Sequence, residues 1–217
     1  MSSSGASSRR QAIAHSAVAT GKGDDGSTGL LYGGRISKDD ARTEAYGSID
    51  EAVACMGLAR AEIAALAGSG ELPAGLQHMA PMILRLQREL FVAAAELATN
   101  PEAWDRLEDG RTRVDEPMLA GLEELLSAAE GQVEMPREFI VPGSTRLSAA
   151  LELSRTVVRR AERRVITLDR DQLVPGQWLM PYLNRLADLL WVLARLCEQA
   201  QGAASSPSRP SPGQGLS

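Results

Sequence analysis

Residues 147–168 read LSAALELSRTVVRRAERRVITL, and two rows of side chains separate when this stretch is wound as a helix. Leu147, Leu151, Ser154, Val158, Ala161 and Val165 alternate steps of four and three, which places them on one face. Arg155, Arg159 and Arg163 fall four apart. Four residues turn a helix by about 400°, so this row drifts by only about 40° per step and borders the apolar stripe. The pattern predicts a core helix of an all-α bundle with a basic edge. Glu162 is interposed among the arginines. Guanidinium groups held on a rigid helix are suited to gripping several phosphate oxygens, because they stay charged and offer forked donors. A solvated face answered by neighbouring acids is the structural alternative.

Four further helical stretches surround this one, and little in the chain alternates with period two. The first is predicted over residues 38–66, with Ser37, Asp39 and Asp40 at its start and Gly68 to Gly70 at its end. Tyr46, Ile49, Val53, Met56, Leu58 and Ile63 form its apolar face. The second is predicted over 73–98 with a kink at Pro81, and Asn100 and Pro101 end it. A third covers 116–130 and stops at Gly131. The arginine helix spans 144–168, and a last helix spans 177–201 with Leu183, Leu186, Leu190 and Leu193 inward. An all-α bundle over residues 20–201 follows from these five stretches. Residues 1–19, rich in Ser and Ala, are expected as a flexible tail or a transit peptide; residues 202–217, rich in Pro, Ser and Gly, are expected as a disordered tail.

The chain has 217 residues, 44% hydrophobic, with a formal charge of −5 and 4% aromatics, which fits one globular domain. A net acidic protein with one concentrated basic row lacks the broad positive face that duplex nucleic acid requires and suits a small anionic ligand better. Cys55 and Cys197 fall on separate helical segments, so neither a disulfide framework nor a CxxC metal site is indicated, and a reducing interior is the expected compartment. No apolar run approaches the roughly 20 residues needed to span a bilayer. No membrane or nucleic-acid partner is expected.

Two other segments carry chemistry. TGKGDDGSTGLLYGG, residues 20–34, holds six glycines and cannot form a regular helix. Such a loop brings backbone N–H groups near phosphate oxygens, with Lys22, Ser27, Thr28 and Lys38 adding donors and charge. It is not a Walker A motif, and a mobile linker is the alternative. In YLNRLADLLWVLARL, residues 182–196, Asn184, Asp188 and Arg195 interrupt an apolar helix. Asn184 and Asp188 either fix a ligand hydroxyl or satisfy Arg185 and nearby backbone. Phe139, in FIVPGST, is one of two phenylalanines, and packing at the helix entrance is its structural alternative.

Taken in order, these segments resemble the PduO-type ATP:corrinoid adenosyltransferases. TGKGDDGSTGL looks like the family's nucleotide loop, SKDDARTEAYGSIDE its first-helix motif and FIVPGS its corrinoid-side turn, while RTVVRRAERRV and YLNRLADLLWVLAR match its last two helices. The likeness covers residues 20–196. One departure is that the family's Thr-Lys-Thr or Thr-Arg-Thr run is replaced by Thr20, Gly21, Lys22, which shifts the basic residue by one position.

The resemblance implies transfer of the 5′-deoxyadenosyl group of ATP to the cobalt of reduced cobalamin or a related corrinoid, with release of triphosphate. It implies a five-helix bundle of ferritin-like build that assembles as a homotrimer, with ATP, Mg²⁺ and corrinoid held between subunits. The implied ATP ligands are Thr20, Gly21, Lys22, Gly23, Thr28 and Gly29 from the loop, then Lys38. Arg159, Arg160, Glu162, Arg163 and Asn184 complete that set. Asp50 and Arg155 match an intersubunit salt bridge beside the corrinoid, and Phe139 matches the aromatic that excludes the lower axial ligand of cobalt. Arg159 also counts among the implied catalytic groups, and no residue is implied as a direct metal ligand. A flavin reductase and an adenosylcobalamin-dependent enzyme are implied as partners, with a cytoplasmic setting, or an organellar matrix if the leader is a transit peptide. A di-iron carboxylate bundle is excluded by its need for two Glu-x-x-His motifs where only His15 and His78 occur. A non-catalytic helical nucleotide or corrinoid sensor or carrier is the other reading.

Overall fold

Asp40 starts the first long helix by accepting the Arg42 N–H on its carboxylate at 2.8 Å. That helix, α1 (Ala41–Ser69), stops where Gly70 takes a left-handed φ of 76° and donates its N–H to the Ala67 carbonyl. The computed structural model describes Ser16, Val18, Ala19 and residues 21–209. The other helices are α2 (Met79–Ala98), α3 (Glu116–Glu130), α4 (Arg146–Arg170) and α5 (Leu179–Ala200). Thr145 begins α4 through a reciprocal capping box with Ser148.

Helix α1 packs against α2 and α4, α4 against α5, and α3 against α5. Helix α4 runs antiparallel to both α1 and α5: Arg164 meets Glu44 and Arg146 meets Glu62 between α4 and α1, while Glu152 meets Arg195 and Glu162 meets Asn184 between α4 and α5. The predicted apolar stripe of α4 faces this core, where Leu151, Ser154, Val158, Ala161 and Val165 have no solvent exposure. Side chains span the gap between α5 and α2: Tyr182 Oη donates to Glu89 Oε2 at 2.7 Å, and Cys197 Sγ lies 3.5 Å from Met79 Sδ. Burial raises the Tyr182 hydroxyl well above its usual value and pushes the Cys197 thiol up to about 12.

Four sequence expectations are corrected. Helix α2 begins at Met79 after a separate 3₁₀ turn, Ala74–Leu76, so Pro81 sits in its first turn, where a missing N–H leaves no bond unmade, and no kink is needed. Leu58 is more than half exposed instead of core. Short strands occur despite the lack of period two: β1 (Ser27–Gly29) pairs with β2 (Arg35–Ser37), and β3 (Ile140–Val141) pairs with β4 (Ser206–Pro207), both antiparallel. Residues 202–209, expected within the C-terminal tail, lie back against the bundle through β4, because their backbone finds partners on β3.

An 18-residue window of α1 reaches mean hydropathy 1.3. Ile49, Ala52, Met56, Ala59 and Ile63 on that helix pack in the core of this bundle. Glu96 on α2 is fully buried and accepts the Val114 N–H at 2.8 Å, and Gly176 lies against its other oxygen. Burial pushes this carboxyl up to about 7 against the pull of that hydrogen bond. It pins two connections, 107–115 and 171–178, to the end of α2.

Candidate active site

The N-terminal half of α4 faces α5 across a buried row of charges. Glu152, 3% exposed, accepts from Arg155 Nε at 2.6 Å on one oxygen, and its other oxygen forms an ion pair with Arg195 Nη2 at 3.2 Å. Arg195, 2% exposed, also reaches Glu198 Oε1 at 3.0 Å, and its guanidinium lies over the Trp191 ring. The buried pairs fix the direction of Arg155, because moving it strands Glu152 with one partner fewer.

Arg155 points into a cavity of about 650 Å³ whose wall also includes Phe139, Ile140, Trp191 and Arg209. Phe139 is 87% exposed, so packing at the helix entrance is not its role in this chain. A second cavity, about 240 Å³, is walled by Arg155 and Trp191 as well, together with Arg159, Met135 and Asp188. The two cavities therefore share a wall formed by Arg155 and Trp191, with Phe139 on the first and Arg159 on the second.

The C-terminal half of α4 divides its charges between two neighbours. Arg160 pairs with Glu51 and Arg164 with Glu44, both on α1. Arg163 folds back to donate to the Arg159 carbonyl at 3.0 Å and lines a groove with Arg160, Arg164 and Thr167. Glu162 turns away from this row and accepts from Asn184 Nδ2 at 3.0 Å. Arg185 in turn donates to Asn184 at 2.7 Å and to Asp188 at 3.1 Å. Both structural options read from the sequence are thus realised: acids on α1 answer part of the basic face, and Arg185 ties Asn184 to Asp188.

The glycine loop is a β-hairpin organised by Arg35. Its guanidinium donates to the Lys22 carbonyl at 2.6 Å and to Ser27 Oγ at 2.9 Å, and lies 3.5 Å from Asp25. The Ser27 hydroxyl and N–H hold the Asp25 carboxyl below its usual value. Lys38 returns across the loop, its N–H on the Gly26 carbonyl at 2.9 Å. Its ammonium lies only 3.0 Å from where a Cβ on Gly23 would sit, so a side chain at that position displaces the lysine. Leu31 bonds to Ala98 and Asn100, and Arg106 stacks over Tyr32 at 3.9 Å, which fastens the hairpin to the end of α2. Buried Arg42 joins the same end through the Leu97 and Thr99 carbonyls.

The hairpin and the last arginines of α4 thus share one end of the bundle, linked through Arg164 and Glu44 in the first turn of α1. Among the described residues, no hydrogen bond or ion pair joins Lys22, Thr28 or Lys38 to Arg159 or Arg163. Gly21 is exposed at the start of a turn and Gly29 is exposed at the end of β1, and Thr20 lies outside the described residues. Asp50 is exposed on α1 and has no ion pair among the described residues, whereas Arg155 is paired within its own helix.

Sequence reasoning passed over Glu152, Trp191 and residues 208–209 as parts of the site. Glu152 was readable as an acid three residues before Arg155, and Trp191 as the aromatic one turn before Arg195. Residues 208–209 carried no such signal, since their position depends on pairing with β3.

The family model described as cobalamin adenosyltransferase matches residues 18–197. A corrinoid adenosyltransferase of Bacillus subtilis (strain 168) is 36% identical over 183 residues, 84% of this chain and 87% of that protein. One from Citrobacter freundii is 36% identical over 181 residues, 83% of this chain and 94% of that protein. Among solved structures, a phenylalanine-to-alanine variant of the PduO-type ATP:corrinoid adenosyltransferase from Lactobacillus reuteri, complexed with cobalamin and ATP, superposes with a TM-score of 0.74 at 27% identity. It covers 88% of this chain and 98% of that one.

Proposed function

The chain belongs to the cobalamin adenosyltransferase family and is a corrinoid adenosyltransferase, and we propose that its 650 Å³ cavity takes the corrinoid while the basic edge of α4 and the glycine hairpin take ATP. The enzyme transfers the 5′-deoxyadenosyl group of ATP to the cobalt of a reduced corrinoid and releases triphosphate. The curated relatives are named for that activity, which leaves the sensor or carrier reading without support. One observation carries the division of the site: Phe139 and Arg155 face one cavity, and Arg155 with Trp191 also walls the next, where Arg159 lies.

In the reaction the Co(I) lone pair attacks C5′ of ATP. The Co–C bond forms, the C5′–O bond breaks, and its electron pair leaves with triphosphate. No protein acid or base is needed. The protein aligns the two centres and meets the charge gathering on the leaving group. Arg159, Arg163 and Lys38, with loop N–H groups from Gly21 to Gly29, supply that charge; a well-placed donor contributes on the order of 3 kcal/mol in such sites. Lys22 is tethered through its own carbonyl to Arg35, so its ammonium reaches the phosphates from a fixed backbone. Arg160, Glu162 and Asn184 fix the edge of the row through Glu51 and one another.

Among the described residues, no group of three or more His, Cys, Asp or Glu is placed to hold a metal ion. A Mg²⁺ carried in with ATP would lie beside Lys38, Arg159 and Arg163 and would supply further neutralising charge for the triphosphate. Phe139, apolar and exposed in the cavity, occupies the lower face of the corrinoid and keeps an axial donor from cobalt, which eases reduction of Co(II). The assembly in this reading is a homotrimer, in which exposed Asp50 meets Arg155 of a second copy. A flavin reductase supplies the electron, and an adenosylcobalamin-dependent enzyme receives the product. Cys55 and Cys197 are free thiols, in keeping with the cytoplasm or an organellar matrix.

The test is direct. The purified chain is incubated with ATP, Mg²⁺ and chemically reduced cobalamin, and the absorption spectrum of the alkylated product is followed. Product at a rate proportional to enzyme is the expected result, and a spectrum that stays that of unreacted corrinoid overturns the reading.

A further inference from the structure

We propose that residues 203–209, beyond the family match that ends at 197, close the corrinoid cavity, position Phe139 through the Ser208 N–H, and support Arg155 through the Ser205 hydroxyl. This rests on the assignment of that cavity to the corrinoid. The segment leaves α5 at Gly202, whose φ of 65° turns the chain back, and Ala203 donates its N–H to the Glu198 carbonyl at 2.9 Å. Ser205 Oγ then reaches Glu198 Oε2 at 2.6 Å. Ser206 and Pro207 pair with Val141 and Ile140, and the Ser208 N–H donates to the Phe139 carbonyl at 2.7 Å. Ser208 and Arg209 finish as part of the cavity wall.

Phe139 depends on this strap for its position. Its ring is 87% exposed, so side-chain packing does not hold it. Among the described residues, the hydrogen bonds made by residues 136–143 are those with β4 and Ser208. An aromatic that must sit against one face of a planar macrocycle needs a fixed backbone, and here the C-terminal segment provides it.

The same segment reaches the other functional side chain of the cavity. Ser205 bonds to Glu198, Glu198 to Arg195, Arg195 to Glu152 and Glu152 to Arg155, at 2.6, 3.0, 3.2 and 2.6 Å. Glu198 is 1% exposed, so the Ser205 hydroxyl supplies a hydrogen bond to a carboxylate oxygen at the end of a buried charge row. Phe139 and Arg155 are therefore both held by one short stretch of chain.

The test uses Ser208→Pro in the full chain, which removes a single N–H, and a second protein ended after Gly202. For each, KM for reduced cobalamin, KM for ATP, kcat and the melting temperature are measured. The absorption spectrum of bound Co(II) cobalamin, which reports its axial ligand, is recorded as well. Loss of one hydrogen bond is expected to raise KM for cobalamin about threefold to tenfold, with a larger rise in the shortened chain. The fraction of bound Co(II) cobalamin without an axial ligand should fall, while KM for ATP holds within about twofold. Wild-type cobalamin kinetics and spectra in both proteins overturn the proposal, as does a parallel loss of ATP and cobalamin affinity with a lowered melting temperature. If Phe139→Ala is silent, the cavity assignment fails; if Phe139→Ala is impaired and both strap variants are normal, the strap alone fails.

Discussion

Glu152 and Arg195 form an ion pair at 3.2 Å with both side chains at least 97% buried, and the second oxygen of Glu152 holds Arg155. One carboxylate thus joins the core to the site. Glu152→Gln is expected to cost about 3 kcal/mol, because Arg195 is left buried with an incomplete set of charges. It also releases Arg155, so kcat/KM for the corrinoid falls. Urea unfolding and steady-state kinetics check this, and an unchanged urea midpoint would refute the energetic part.

Phe139→Ala separates chemistry from folding. The ring is mostly exposed, so stability should change by less than about 0.5 kcal/mol. Turnover with Co(II) cobalamin and a reductant should fall by at least about tenfold while KM for ATP is unchanged. Equal losses in both quantities would count against a role at the cobalt.

Arg159→Ala addresses the basic edge. Its side chain is exposed at the smaller cavity and makes no ion pair among the described residues. The bundle should melt normally. KM for ATP should rise on the order of tenfold to a hundredfold, the scale of a lost charge-assisted contact to phosphate. Unchanged ATP affinity would remove Arg159 from the site.

Glu96 gives the fold a dependence on pH. Its folded pKa of about 7 lies above its ordinary value of 4.5, so the folded chain binds the extra proton between those values. Stability is full below pH 4.5 and declines as pH rises through 7, by roughly 2–4 kcal/mol from this group. Glu96→Gln should flatten that decline and stabilise the protein at pH 8 relative to pH 5. Parallel pH profiles for the two proteins, measured by denaturant midpoints, would show that Glu96 is not the source.

The helices were legible because their signals are local. Asp40, Gly70, Gly131 and the α4 stripe each speak for themselves within one or two turns, and Glu116–Glu130 falls where the pattern predicts. The hairpins were not, since strands of two or three residues are too short to show a period. Pairing of β4 in a Pro- and Ser-rich stretch depends on β3, more than sixty residues earlier. Helical spacing likewise could not say which arginines face inward. Arg160 and Arg164 meet Glu51 and Glu44 because α1 lies beside them, while Arg155 and Arg159 face α5, a difference fixed by neighbours and not by sequence spacing.

The indole of Trp191 stands in the partition between the two cavities. Corrins absorb strongly, so a ring in van der Waals reach of one would lose its emission on arrival of the cofactor precursor, and nucleotide on the other side would shift its wavelength. The protein thus contains a built-in optical gauge for the order in which its substrates arrive, with no label attached.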